Sequence, residues 1–209
     1  MPISIPDPVI KRLPMYYRYL KETELRQQEF ISSTELGQLM GLTASQVRQD
    51  VNAFGGEGRQ GCGYPVTGLK NHIEKLLGIH NQHNMIIIGC GNLGRALLRH
   101  KSFAKRGFVT IALFDNHVTN AAKNKTVYVR DIEELEAFTA EQRVDIAILT
   151  LPAADAQAMA DRLYRCGVRG FWNFAPVDVT LPKDAAVVNV HLDESLELLS
   201  YRMENPEWV

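Results

Sequence analysis

Three glycines at a fixed spacing mark the first candidate site of this chain. Gly89-Cys90-Gly91-Asn92-Leu93-Gly94 follows the apolar run Met85-Ile86-Ile87-Ile88 and leads into Arg95-Ala96-Leu97-Leu98. A strand, then G-x-G-x-x-G, then a helix assigns a task to each glycine. Gly89 permits the tight turn, Gly91 lets the backbone meet a pyrophosphate, and Gly94 lets helix and strand pack closely. Asn92 and Leu93 present N–H groups at the helix N-terminus, where a phosphate is favoured. Asp115 closes the next apolar run, 110–114, about 20 residues past Gly94, where a carboxylate accepts the adenosine ribose hydroxyls. A 2′-phosphate there meets like charge, and Asn116-His117-Val118 supplies no arginine, so the pattern favours NAD(H) over NADP(H). Thr150-Leu151-Pro152-Ala153 and Asn173-Phe174-Ala175-Pro176 end two later apolar runs. Ligands of open α/β sheets bind outside the carboxyl ends of strands, so Thr150, Pro152, Asn173, Phe174, Ala175 and Pro176 are candidates for the far half of a dinucleotide.

A second set of residues suits nucleic acid. Ser45, Gln46, Arg48, Gln49 and Asn52 cover the helix face left by the inward Val47 and Val51. Arginine matches the O6/N7 edge of guanine, glutamine matches adenine, and serine or asparagine matches phosphate or a base edge. Arg59 and Gln60 sit among glycines and are placed to enter a minor groove. Arg12 completes the candidate DNA-binding set. Asp50 is an odd acid for such a face and reads as a structural ion pair or cap.

These residues need elements to hold them. Val9, Leu13, Tyr16, Tyr17 and Leu20 follow helical spacing, so the first helix has one apolar stripe. Ser32-Ser33-Thr34-Glu35 caps a second helix that stops at Gly41, and Thr43 caps a third that runs from Ser45 to Phe54. Two short helices around a tight turn form a helix-turn-helix. Five glycines within 55–63 suit a hairpin, making it winged. Leu69, Ile73, Leu76 and Leu77 predict a further helix ending near Gly78, and the polar stretch 79–84 reads as a joint. From Met85 strands alternate with helices, which implies a parallel sheet. Strands are expected near 85–88, 110–114, 126–129, 145–150, 170–173 and 186–190, helices near 92–101, 131–141 and 153–166, and a last helix at 192–203. The expected organisation is a winged-helix domain at 1–80, a Rossmann-type α/β domain at 81–190 and a dimerisation helix in 191–209.

Composition narrows the function. With 209 residues there is room for one or two domains, and no apolar run reaches a bilayer span. The first residues lack the basic start and apolar core of a signal peptide. Cys62, Cys90 and Cys166 have no metal-ligand spacing, so no metal site is expected, and a reducing cytoplasm fits. A net charge of −1 does not indicate nucleic acid, which must be argued from pattern. Nucleophile-elbow, zinc-protease and P-loop motifs are missing, and too little chain follows the fingerprint for a substrate domain. The rival reading is a small NAD-dependent oxidoreductase, or a CoA-binding Rossmann protein, with a helical cap. A third is a DNA-binding protein whose Rossmann fold only dimerises.

The chain resembles the Rex family of redox-sensing transcriptional repressors along almost its whole length. The matching stretches are 10–20, Ser32 to Leu36, Ala44 to Asp50, Phe54-Gly55, Gly61-Cys62-Gly63-Tyr64, Gly89 to Leu97, Asp115, Pro152-Ala153 and Asn173 to Pro176. The resemblance implies a homodimer that holds an inverted-repeat operator in double-stranded DNA when NADH is low and leaves it when NADH binds, NAD+ competing weakly. It implies that such a protein controls fermentation and respiration genes. It also implies that the C-terminal helix swaps into the partner subunit, and that Arg18 exchanges partners as the domains rotate. Departures are informative. Many members have two basic residues where Arg48-Gln49 and Arg59-Gln60 stand, glutamine being found in members like those of clostridia. Fewer charges predict a shallower salt slope. Where several members have tyrosine and aspartate, this chain has His100 and His191, which makes these two, with Arg18, the candidate switch residues and introduces pH dependence.

Overall fold

The computed structural model describes residues 5–117 and 129–205. The chain divides into two compact units, Met1–Asn81 and Gln82–Val209.

In the first unit α1 (Asp7–Leu25) buries Val9, Leu13, Tyr16, Tyr17 and Leu20, the stripe expected from helical spacing. Ser32 caps α2 (Ser33–Met40) by a capping box, its hydroxyl accepting the Glu35 N–H while the Glu35 carboxylate accepts the Ser32 N–H. Left-handed Gly41 (φ 68°) ends the helix. Thr43 and Gln46 form a second box at the start of α3 (Ala44–Ala53). These two signals, Gly41 and Thr43, make the turn tight. Leu36 and Met40, Val47, Val51 and Phe54, and Val66, Leu69 and Ile73 of α4 (Val66–Leu76) then close one core with α1.

The wing differs from the expected hairpin. Residues 55–63 are closed by one antiparallel bridge between Arg59 and Gly63. The ladder that anchors the wing joins β1 (Phe30–Ile31) to β2 (Tyr64–Pro65). Five glycines in nine residues offer few side chains to hold a strand register, so pairing begins where Tyr64 meets Ile31. There Gly63 has φ +93°, and a Cβ on it would stand 2.4 Å from the Ile31 carbonyl oxygen.

The second unit carries a six-stranded sheet, β3 (His83–Ile88), β4 (Phe108–Asp115), β5 (Val129–Asp131), β6 (Ile146–Leu149), β7 (Gly170–Asn173) and β8 (Ala186–Asn189). Its order is β5-β4-β3-β6-β7-β8 and every pair is parallel. This is the doubly wound order, with its switch point between β3 and β6. Along β3, Ile86 and Ile88 join the core under α6 (Leu135–Glu141) and α7 (Ala153–Arg165), while Met85 and Ile87 face α5 (Asn92–Leu98) and an aromatic group.

Several expected boundaries move. His83 and Asn84 belong to β3 rather than to the joint, since ladder bonds use backbone and tolerate polar side chains. α5 stops at Leu98 because the next bonds, His100 N–H to Leu97 O and Phe103 N–H to His100 O, tighten to three-residue turns. Asp131 ends β5 and caps a 3-10 turn, Ile132–Glu134, ahead of α6. Residues 126–128 of the expected third strand lie outside the described residues. The final helix, α8 (Glu194–Glu204), has no buried residue: Leu196 is 67% exposed and Met203 71%. No helix among the described residues is long and apolar enough to cross a membrane.

Candidate functional site

At the switch point lies a cleft of about 540 Å3. Gly89, Gly91, Asp115, Thr150 and Pro152 line it together. Gly89 has φ +103°, and a Cβ there would stand 2.5 Å from the Thr150 carbonyl oxygen, so the β3 and β6 loops touch backbone to backbone. Gly94 is closer still, its Cβ position lying 2.0 Å from the Gly89 oxygen. At Gly91 nothing lies within 4 Å, and the open space belongs to the cleft. Thr150 locks the crossing, its hydroxyl standing 3.0 Å from both the Ile88 and Gly89 carbonyl oxygens. Behind Gly91 the first turn of α5, which holds the Asn92 and Leu93 N–H groups, has no side-chain cap. The Asn92 side chain accepts a bond from Arg95.

Asp115 does two things. Its carboxylate accepts the N–H of Cys90, inside the glycine loop, and that of His117 at 2.8 Å. It therefore shapes the loop and keeps lone pairs at the cleft wall. Opposite stand Asp155, Ala158, Met159 and Arg162 of α7, with Ile132. Sequence reasoning missed these, although 155, 158, 159 and 162 share one helix face by spacing. Arg162 brings no free charge: it pairs with Glu136 and donates to the Ile132 carbonyl. That pairing holds the Glu136 carboxyl down at about 2. Among the described residues the cleft's acids are Asp155 and Asp115, the latter 3.9 Å from the His117 imidazole.

The Asn173 loop is held together by its own amide. Asn173 is fully buried, and its amide donates to the Val177 carbonyl and the Asn189 side chain while accepting the Ala175 N–H. It is a loop staple, not a free ligand group. Ala175 is buried, Pro176 is exposed, and Phe174 packs 4.7 Å from Trp172 in the aromatic group beside α5. None of the four lines the cleft.

On the first unit, Ser45, Gln46, Arg48, Gln49 and Asn52 are all exposed on α3, and Arg59 and Gln60 on the wing. Gln46 is engaged in its capping box, and Arg48 donates to the Ser33 hydroxyl at 3.1 Å. Arg59 lies 5.4 Å over the Phe30 ring. Arg12 departs from its expected place: its guanidinium turns inward to the Asp50 carboxylate, because a buried acid requires a partner. Arg18 is exposed and stacks 4.7 Å over Tyr19. His100 bonds Ser102 and stacks on Phe103, while His191 bonds Asp178 at 2.8 Å. Among the described residues no group of three or more acidic, histidine or cysteine side chains is placed to hold a metal.

Fold and site define a class: a helix-turn-helix head joined in one chain to a Rossmann unit with a dinucleotide-type cleft. Family models divide the chain in the same way, "Putative DNA-binding protein N-terminus" over residues 4–52 and "CoA binding domain" over 80–177. The redox-sensing transcriptional repressor Rex of Thermoanaerobacter sp. (strain X514) is 48% identical over 200 residues, covering 95% of this chain and 89% of its own. That of Clostridium botulinum (strain Eklund 17B / Type B) is 45% identical, covering 93% of each. Among solved structures, RSP in complex with beta-NADH matches at TM-score 0.88 and 44% identity over 98% of this chain and 96% of its own. RSP in complex with beta-NAD+ and operator DNA matches at TM-score 0.89 and 45% identity over 98% and 95%. The chain belongs to the Rex family of redox-sensing transcriptional repressors.

Proposed function

We propose that this chain is an NADH-gated repressor: it occupies an inverted-repeat operator when NADH is scarce and leaves it when NADH fills the cleft. The observation that carries this reading is the open face of Gly91 beside the Asp115 carboxylate at the sheet's switch point. Residues 1–80 read DNA, 81–190 bind the nucleotide and 191–209 dimerise. Ser45, Arg48, Gln49 and Asn52 face bases and phosphates, and Arg59 and Gln60 the neighbouring groove. The exposed leucines of α8 support a homodimer in which a partner subunit covers them, since a monomer leaves them in water. Two heads then meet successive major grooves. Nucleotide binding must favour one dimer state, because a ligand that binds both equally shifts nothing. The nucleotide is a signal rather than a hydride donor, and a protein acting on operator DNA works in the cytoplasm. The direct test is a gel shift on an inverted-repeat duplex with NADH titrated in; a band that NADH never dissolves sinks the reading.

The match to a CoA-binding family model raises a second ligand, and the cleft argues against it. Asp115 receives ribose hydroxyls, so a phosphate on either of them brings like charge against a carboxylate. At an effective dielectric near 20 that repulsion is worth several kcal/mol, so CoA and NADPH are expected to bind about 100-fold more weakly than NADH. Isothermal titration decides it, and CoA binding as tight as NADH rejects this assignment.

Arg18, His100 and His191 are the proposed switch positions. The hydrogen bond to Asp178 raises the His191 pKa above its ordinary value. A raised folded pKa means that the charged pair is complete below the unfolded pKa and is lost as pH rises through the folded one. NADH-release curves at about pH 6 and about pH 8 should therefore differ, and His191→Gln should bring them together. Wild-type curves that superimpose remove the histidine switch.

A further inference from the structure

Asp50 occupies a core position on the recognition helix. It shares the inward face of α3 with Val47, Val51 and Phe54, and it is 3% exposed. An acid there is costly unless every lone pair is met. Arg12 on α1 meets it with two parallel bonds, Nε to Oδ2 and Nη2 to Oδ1, both 2.7 Å. The hydroxyl of Tyr16, itself fully buried and one helical turn along α1, donates to Oδ2 at 3.0 Å. A leucine would pack as well in this core and would slide. A bidentate fork fixes both distance and angle. α1 is in turn tied to α4: Lys70 and Thr67 bond Glu24 at 2.6 and 2.9 Å, and the Tyr17 hydroxyl lies 3.3 Å from Glu74. Base reading requires side chains held to about 0.5 Å and 10–20°. The acid is therefore on the inward face of α3, where orientation can be set from behind, opposite the exposed Arg48, Gln49 and Asn52.

We propose that Arg12, Asp50 and Tyr16 form a positioning clamp that sets the angle of the recognition helix, and that Arg12 is not a DNA contact. The clamp rests on the operator-binding reading for its consequence but not for its existence. The experiment uses the full chain, with Arg12→Gln, Arg12→Lys, Asp50→Asn, Tyr16→Phe and the Arg12→Gln/Asp50→Asn double variant. The probe is an inverted-repeat duplex selected from a random pool by the wild-type protein. Arg12→Gln and Asp50→Asn should each weaken the duplex on the order of tenfold, with the double variant no weaker than either. Arg12→Lys, which keeps the charge and loses the fork, should bind as weakly as Arg12→Gln. Salt slopes should match wild type. A slope shallower by about 0.9 per lost phosphate contact in Arg12→Gln makes Arg12 a DNA ligand and overturns the clamp. Tighter binding by Asp50→Asn also overturns it, since Asp50 would then only mask Arg12. Tyr16→Phe covers the case in which the charge variants do not fold; it should weaken binding a few-fold, and an unchanged affinity counts against the clamp. Hydrogen exchange separates the two readings. If no duplex is enriched, the functional reading fails, and the clamp stands or falls on faster exchange of α3 amides in Asp50→Asn and Tyr16→Phe.

Discussion

Asp115→Ala should leave a repressor that holds its operator at NADH concentrations that clear the wild type. Two losses add. The ribose hydroxyls lose a charged acceptor, and hydrogen bonds to charged groups contribute about 1.5–3 kcal/mol each. The N–H of Cys90, a residue only 8% exposed, loses its partner too, so the glycine loop is no longer held in its binding form. Together these imply a fall in NADH affinity of about 100-fold or more. Asp115→Asn keeps an acceptor without the charge and should lose less for NADH while gaining relatively for NADPH. Titration calorimetry gives the affinities, and the gel shift shows whether the operator stays bound. An alanine variant that binds NADH like wild type would show that neither a ribose contact nor the Cys90 bond of this carboxylate is needed for binding.

Gly91→Ala and Gly94→Ala should separate binding from folding. A Cβ on Gly91 meets nothing within 4 Å, and its φ of −67° suits any residue. The unliganded unit should be as stable as wild type or gain about 0.4–1 kcal/mol from reduced chain entropy. NADH binding should be lost, because the methyl occupies the approach of the pyrophosphate. Gly94 is the reverse case. Its Cβ would lie 2.0 Å from the Gly89 carbonyl oxygen, and a backbone atom cannot step aside as a flexible side chain does. α5 must then lift from β3, at about 1–3 kcal/mol or more, and both stability and binding should fall. Thermal unfolding without ligand and calorimetry with NADH make the comparison. Normal NADH binding by Gly91→Ala would move the pyrophosphate out of this cleft.

Much of this was legible because it is local. The boxes at Ser32–Glu35 and Thr43–Gln46 span four residues each, and the cap residues Ser32 and Thr43 placed both helix starts to within one residue. The glycine fingerprint and Asp115 follow from one strand–turn–helix–strand unit. Gln46 shows the limit of such reading. Its exposure on α3 suits adenine, yet its side chain closes a cap. Its Oε1 accepts the Thr43 N–H, and that oxygen is the acceptor a bidentate contact to adenine would need.

The sequence by itself determined the helix-turn-helix, the alternation of strands and helices that makes a parallel sheet, and the place of Asp115 at the end of β4, because hydrophobic period and turn chemistry act over a few residues. Tertiary structure alone decided which polar groups are free. Arg12 reads as a surface cation until Asp50, 38 positions away, turns it inward. Asn173 reads as a ligand group until Asn189 and Val177 use up its amide. Asp155, Met159 and Arg162 join the cleft only when α7 packs across β6. A buried polar group must find a partner, and that partner can come from any part of the chain the fold brings near.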